Sequence, residues 1–436
     1  MKLIIDQLGR IDHAEIDIRP LTVLIGKNGT NKTWVAHSYF KLLERLRVEA
    51  SLSPASSADP ASTLAGVIAA DWAAKIKKSQ PGAVSFSLGR AELVSQLPET
   101  VSFNLQGAVW QSTLGARLPP SACVALHLGR EELQAGAATR IEVTVGQGPL
   151  TVETSLYLEG EPEPRKTTAY PDPKSLRSVL RQAVESLLCG WRRHVRALPA
   201  ERVNLAQIFP VLIRNKDVLM PRALVDFCYM MSLASAASLP PPDSTLTEAL
   251  VKVAGGRLSF ESGELVFRPL SSGDVALPLK AAASLTKAIA GLGVFLSTAT
   301  RRDVVIIDEP EMNAHPESQV ALVNLFAAML RQGIEVVIVT HSPYILDHIT
   351  TLLEASRLDS GPRSEVGKRL ALGSPDLYID PQELAVYQFE TSGEVRSVLD
   401  RENGVIDWST FTAVSDREST IVNALIDAEE SGSGAG

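Results

Sequence analysis

The sequence predicts an α/β fold with a parallel-sheet core, a mixed β-sheet lobe and an inserted helical lobe. Three observations carry that prediction. A nearly continuous apolar run, Leu21 to Ile25, leads through a short polar loop into a helical pattern from Trp34 to about Val48. Late in the chain two more such runs, Val304 to Ile307 and Ile334 to Val339, alternate with helical stretches. Between them, residues 83–158 break into short β-type segments separated by Gly and Pro. Unbroken apolar runs are what strands buried on both faces of a parallel sheet require, whereas short alternating ones suit an antiparallel lobe.

Taken in order, Lys2 to Leu8 and Ala14 to Ile18 read as strands, the second with apolar residues at alternate positions, before the buried strand Leu21 to Ile25. The Ser/Ala/Pro-rich stretch Ser51 to Ser62 reads as a loop. The β-type segments are Val84 to Leu88, Val101 to Leu105, Ile141 to Val145 and Thr151 to Leu158. Gly160 to Lys166 is a polar loop, and Pro173 to about Arg193 a helix with Leu176, Val179, Leu180, Val184 and Leu187 on one face. Leu239 to Ser244 is a break, and Glu430 to Gly436 a Gly/Ser tail. The expected divisions are 1–170 for the first part of the head with the β-rich lobe, 171–300 for the helical lobe, 301–350 for the rest of the head, 351–428 for a C-terminal extension and 429–436 for a disordered tail.

The balance of 42 basic against 50 acidic residues, net −8, excludes a surface that is one nucleic-acid-binding field. A hydrophobic fraction of 45% in 436 residues is enough for a sizeable core and for two or three structural units. Cys123, Cys189 and Cys228 form no C-x-x-C pair, so neither a zinc site nor a disulfide framework is expected. Charge arrives too early for a secretory leader, and no apolar stretch is long enough to span a membrane. The expectation is a soluble, cytoplasmic protein.

Residues 26–33 read Gly26-Lys27-Asn28-Gly29-Thr30-Asn31-Lys32-Thr33, a strand-to-helix phosphate loop of the pattern G-x-x-x-x-G-K-[ST] with Asn31 in place of the second Gly. Backbone N–H groups at the start of the helix wrap phosphates, Lys32 reaches the β- and γ-phosphates of ATP, and the Thr33 hydroxyl ligates Mg²⁺. Asn tolerates left-handed backbone geometry better than other non-Gly residues, so the loop can still close. The run Val304 to Ile307 ends in Asp308-Glu309-Pro310-Glu311 and delivers two acids to the C-terminal edge of the sheet, where ligands bind in open α/β folds. Asp308 is placed to hold magnesium through water and Glu309 to orient and polarise the attacking water. The strand ending in Thr340-His341-Ser342-Pro343 brings the His341 imidazole to the same edge.

These motifs, with Asn313-Ala314-His315-Pro316 and Pro199-Ala200-Glu201-Arg202, resemble the ABC-type ATPase head of the RecF/OLD/SMC group, and in particular stand-alone AAA ATPases of bacterial phage-defence operons. The resemblance covers residue 1 to about 350. It implies an ABC-type P-loop NTPase head, with the Asp308-Glu309-Pro310-Glu311 stretch as Walker B motif running into the D-loop, and His341 as switch histidine. Of two candidates for the signature motif, Leu270 to Asp274 is followed too soon by Pro278 for a helix to start. Ala283 to Lys287 opens an unbroken helical pattern and is the preferred assignment, with Ser284 and Lys287 facing nucleotide held by a second protomer. That arrangement implies a homodimer or higher homo-oligomer with ATP in the interface. The lobe-linking glutamine of the family stays open among Gln106, Gln111 and Gln147.

The family's nucleases continue into a Toprim domain, but no D-x-D follows His341, so no nuclease is expected in this chain. The resemblance then points to the ATPase subunit of two-component systems such as Septu or PARIS, with a separate nuclease or toxin as effector. Rival expectations are a DNA-repair or SMC-like clamp, with Lys174, Arg177, Arg181 and Trp191 to Arg196 as a basic surface that would make DNA a further partner, and an ATP sensor with little turnover.

Overall fold

In a computed structural model, the structure describes residues 1–52, 70, 85–89, 100–106, 109–129, 138–145, 152–158, 165–169, 194–214, 220–236, 243–261, 264–272, 275–369, 377–407 and 417–425. The N-terminal strands β1 (Lys2–Leu8), β2 (Ile11–Asp17) and β3 (Leu21–Gly26) match the apolar pattern, and helix α1 (Lys32–Leu52) follows the loop. The helix runs past the expected end at Val48, because the Ser/Ala/Pro-rich stretch begins to tell only after Leu52.

The β-rich region forms two antiparallel sheets. Strands β4 (Ser85–Gly89), β7 (Ala138–Val145), β8 (Val152–Leu158) and β9 (Arg165–Ala169) make one sheet in that order. The other has the order β2-β1-β6-β5, with β5 (Thr100–Gln106), a short helix α2 (Val109–Leu114) and β6 (Cys123–Gly129). Strand β9 takes in Arg165 and Lys166 of the expected polar loop. The polar Arg165-Lys166-Thr167-Thr168, with its two β-branched threonines, pairs with β8 as an edge strand, which needs no apolar face of its own.

The central sheet has the order β10-β14-β15-β3-β16-β17, built by β10 (Val195–Leu198), β14 (Val304–Asp308), β15 (Glu335–Val339), β3, β16 (Leu384–Phe389) and the short β17 (Val395–Ser397). The first five are parallel to their neighbours and β17 is antiparallel. Alternate residues along each strand feed two separate cores. Leu24, Ala197, Val304, Ile306, Val337, Val339, Ala385 and Tyr387 face α1 and the inner side of the β2-β1-β6-β5 sheet. Val23, Ile25, Val305, Ile307, Val336, Ile338 and Val386 face the helical side.

That side carries α3 (Arg202–Arg214), α4 (Arg222–Ala236), α5 (Ser244–Ala254), α6 (Ser284–Leu296), α7 (Pro316–Arg331) and α8 (Pro343–Ser356), and α9 (Ser360–Arg369) packs on α8. Helix α5 is capped by Asp243, whose side chain accepts from the Thr245 N–H at 2.9 Å, and ends on a left-handed Gly255. The hairpin β11 (Gly256–Glu261) and β12 (Glu264–Pro269) leads through the two-residue β13 (Leu277–Pro278) into α6. A last pair, β18 (Leu399–Asp400) and β19 (Val405–Ile406), follows β17.

Residues 384–397, within the expected extension 351–428, are integral to the central sheet, since β16 pairs with β3 along its whole length. The expected helix Pro173–Arg193 and the 429–436 tail lie outside the described residues, as do Lys174, Arg177, Arg181 and Trp191 to Arg193. Arg196, the last residue of the expected basic surface, sits in β10 and pairs with Asp226 at 2.9 Å. Among the described residues no helix is long and apolar enough to cross a membrane.

Candidate functional site

The register of the central sheet lines up the carboxyl ends of four strands. Asp308 lies opposite Val339, Val339 opposite Leu24, and Leu24 opposite Tyr387. Because β15 stands between β14 and β3, the acidic pair, His341 and the phosphate loop arrive at one edge from three neighbouring strands. Backbone bonds hold the edge together beyond the strands: the Glu309 N–H donates to the Val339 carbonyl at 2.9 Å and the Thr340 N–H to the Leu24 carbonyl at 3.0 Å.

Within the loop, Gly26 has φ 135° and a Cβ there would lie 2.2 Å from the Phe389 carbonyl oxygen, so only Gly fits beside β16. Lys27, Asn28 and Gly29 are exposed, while the Thr30 hydroxyl donates to the Lys27 carbonyl at 2.9 Å. Asn31 adopts φ 68°, the left-handed geometry that the missing Gly would have supplied. Its side chain does more: Oδ1 accepts the Arg10 N–H at 3.0 Å and so ties the loop to the β1–β2 turn. The Asn31 carbonyl accepts the Val35 N–H at 3.1 Å as α1 begins.

The Lys32 ammonium is buried and donates to the Gly26 and Lys27 carbonyls at 2.9 and 2.7 Å. Burial lowers its pKa to about 8, against the opposing pull of Asp308, Glu309 and Glu311. The Thr33 hydroxyl donates to Asp308 Oδ2 at 2.9 Å across 275 residues of chain. Burial raises the Asp308 carboxyl to about 6, with Glu309 adding to the rise and the Thr33 hydrogen bond opposing it. Glu309 is a non-Gly residue at φ 49°, a backbone geometry that persists only where the surroundings hold it. Glu311 accepts the His341 N–H on Oε1 at 2.7 Å, while its buried Oε2 has no partner. Desolvation lowers the His341 pKa, as does Lys32, whereas Glu309 and the Gly26 backbone work the other way.

The residues fit a magnesium nucleotide. The Thr33 hydroxyl and the Asp308 carboxylate, joined at 2.9 Å, are oxygen donors of the kind hard cations take, and the buried Lys32 ammonium is close enough to feel the Asp308 charge. Thr33 and Asp308 would hold Mg²⁺ and Lys32 the phosphates, with the ion neutralising phosphate charge.

Of the two signature candidates, Leu270–Ser272 is a single 3-10 turn and Gly273 and Asp274 lie outside the described residues. Helix α6 starts at Ser284, where the N-cap Ala283 makes no side-chain hydrogen bond. Ser284 is exposed, and the Lys287 N–H donates to the Ala283 carbonyl at 3.1 Å. Gln111 is exposed on α2 and donates to the Gly115 carbonyl at 3.3 Å, Gln106 closes β5, and Gln147 lies outside the described residues.

Sequence reasoning did not give Arg202 a role. Its guanidinium is fully buried and donates to the carbonyls of Pro199, Ala288, Asp308 and Glu309. Its partners are backbone atoms, which leave no mark in a sequence; the Pro-Ala-Glu-Arg motif was the only pointer.

Residues 261–347 match a family model described as "AAA domain, putative AbiEii toxin, Type IV TA system". The matched segment contains Ser284, Asp308, Glu309 and His341. No curated protein matches the chain. Solved structures with similarity to it include an Smc head bound to the C-winged helix domain of ScpA, at 10% identity and TM-score 0.36, covering 91% of this chain and 96% of that one. An Smc head domain with an extended coiled coil, bound to the C-terminal domain of ScpA derived from Pyrococcus furiosus, gives 9% identity, TM-score 0.33 and coverage of 96% and 98%. An SMC head domain from Thermotoga maritima gives 10%, 0.28, 80% and 90%. At TM-scores this low the likenesses carry nothing beyond themselves. The central sheet with the phosphate loop after β3 has the architecture of a P-loop fold, and the AAA match covers the segment that supplies its acidic strand end.

Proposed function

We propose that the protein hydrolyses ATP as an ABC-type ATPase, acts as a homodimer or higher homo-oligomer with nucleotide in the interface, and serves as the sensing and regulatory subunit of a bacterial anti-phage defence complex whose damage is done by a separate nuclease or toxin. The observation that carries the ATPase reading is the 2.9 Å hydrogen bond from Thr33 to Asp308, which closes the phosphate loop onto the acidic strand end. Lys32 binds the phosphates, Glu309 orients and deprotonates the attacking water, and His341 reads the γ-phosphate from the end of β15. Ser284 and Lys287, at the exposed start of α6, meet the nucleotide held by a second copy.

The matched family's description, "putative AbiEii toxin, Type IV TA system", supports a defence setting, while the separate effector rests on the resemblance read from the sequence. A γ-phosphate that orders one arrangement and releases it on hydrolysis is a sufficient switch for such a complex. Two measurements test it. In light scattering, Glu309→Gln with Mg·ATP should double its mass and fall back when nucleotide is removed; an unchanged mass would end the sandwich reading. Co-expression with the neighbouring genes should yield a stable complex with a nuclease or toxin, and a neighbourhood encoding no effector would remove the defence reading. Saturable, salt-dependent DNA binding without any effector would favour the SMC-like alternative instead.

A further inference from the structure

We propose that Arg202 is a positioning residue that ties the backbone of Glu309 to the helix beginning at Ser284, so that nucleotide seated at the start of that helix resets the geometry of Glu309. The inference rests on the ATPase reading above and adds to it a route between the two halves of the site.

Arg202 is the first residue of α3 and its side chain is 2% exposed. Nε donates to the Ala288 carbonyl at 2.8 Å, Nη1 to those of Pro199 at 3.0 Å and Asp308 at 2.5 Å, and Nη2 to that of Glu309 at 2.7 Å. A buried cation is costly unless its donors are met, and here they are met by carbonyls rather than by a directly bonded carboxylate. The planar fork is what lets one group reach α6, the turn after β10 and the end of β14 together.

What it holds is a strained point. Glu309, at φ 49°, has its N–H pinned to the Val339 carbonyl and its own carbonyl pinned to Arg202. Both backbone groups of this residue are therefore fixed from outside, which is the condition under which a left-handed non-Gly residue persists. Ala288 lies one turn into α6, so a shift of that helix along its axis pulls on the same guanidinium. One side chain thus bonds both α6 and the acidic strand end.

The test compares the full chain with Arg202→Lys, Glu309→Gln and the double variant, measuring fluorescent-nucleotide affinity, KM and kcat. Lysine keeps the charge but has one nitrogen where the fork has three. Arg202→Lys should bind nucleotide and show KM within about threefold of the parent, while kcat falls at least about twentyfold, and the double variant should be no slower than Glu309→Gln alone. Unchanged kcat, parallel loss of affinity and kcat, or losses that multiply in the double variant would each overturn the proposal. Should Arg202→Lys fail to fold, hydrogen exchange on the parent decides: a non-hydrolysable ATP analogue with Mg²⁺ should slow exchange in 284–292 and 308–312 together. A response in 284–292 alone overturns the coupling. No saturable nucleotide binding by the parent overturns the ATPase reading itself, and the two failures are distinguishable.

Discussion

On the proposed ATPase reading, two ionisable groups set the limits within which the site takes Mg·ATP. Lys32, lowered to about 8 by burial, must be charged to hold phosphate; above that value binding has to take up a proton. Asp308, raised to about 6 by burial, must be ionised to hold magnesium; below that value the ion has to displace a proton. Mg·ATP affinity should therefore be flat between about 6 and about 8 and fall by roughly tenfold per pH unit on either side. Titrating affinity against pH in Asp308→Asn checks the assignment, because the acid limb should vanish there; an acid limb that survives contradicts it. At this scale the sequence was legible where chemistry fixes residue type and spacing, as with Lys32, Thr33, Asp308, Glu309 and His341. Asn31 was legible in half: its left-handed backbone follows from its place in the loop, but its grip on the Arg10 N–H depends on a hairpin turn brought in by the fold.

Elements are readable in proportion to how much of their pattern is local. Strands β3, β14 and β15 are buried on both faces and show it as unbroken apolar runs. Strand β10 has four residues, one of them Arg196, and is a strand only because β14 lies beside it. Strand β6 carries His127 and finds its partners in β1 and β5, so its pairing is tertiary. Helix α6 shows how tightly the helical side is fitted. A Cβ at Gly291 would sit 2.5 Å from the Phe227 ring and 3.3 Å from Leu198. Gly291→Val should thus cost about 1–3 kcal/mol of stability through overpacking. Urea unfolding measures it, and Phe227→Leu in the same background should recover part of the loss. Equal stability of parent and Gly291→Val would show that α6 is packed more loosely than its contacts indicate.

For the molecule as a whole, the expected extension 351–428 includes a strand of the central sheet. Residues 384–389 complete the sheet beside the phosphate-loop strand, so the site's near wall comes from the last part of the described chain. The Thr33–Asp308 hydrogen bond spans 275 residues, which is the reason no local pattern could display the site assembled. Arg196, expected as part of a basic surface, is spent on Asp226 inside the fold. The central claim is that Glu309, held at this edge, drives turnover of ATP bound by Lys32. Phosphate release with parallel nucleotide binding tests it most directly. Wild type should release phosphate and Glu309→Gln should lose at least about a hundredfold in kcat while still binding ATP. Equal rates for the two proteins, or no turnover by either while both bind ATP, would contradict it.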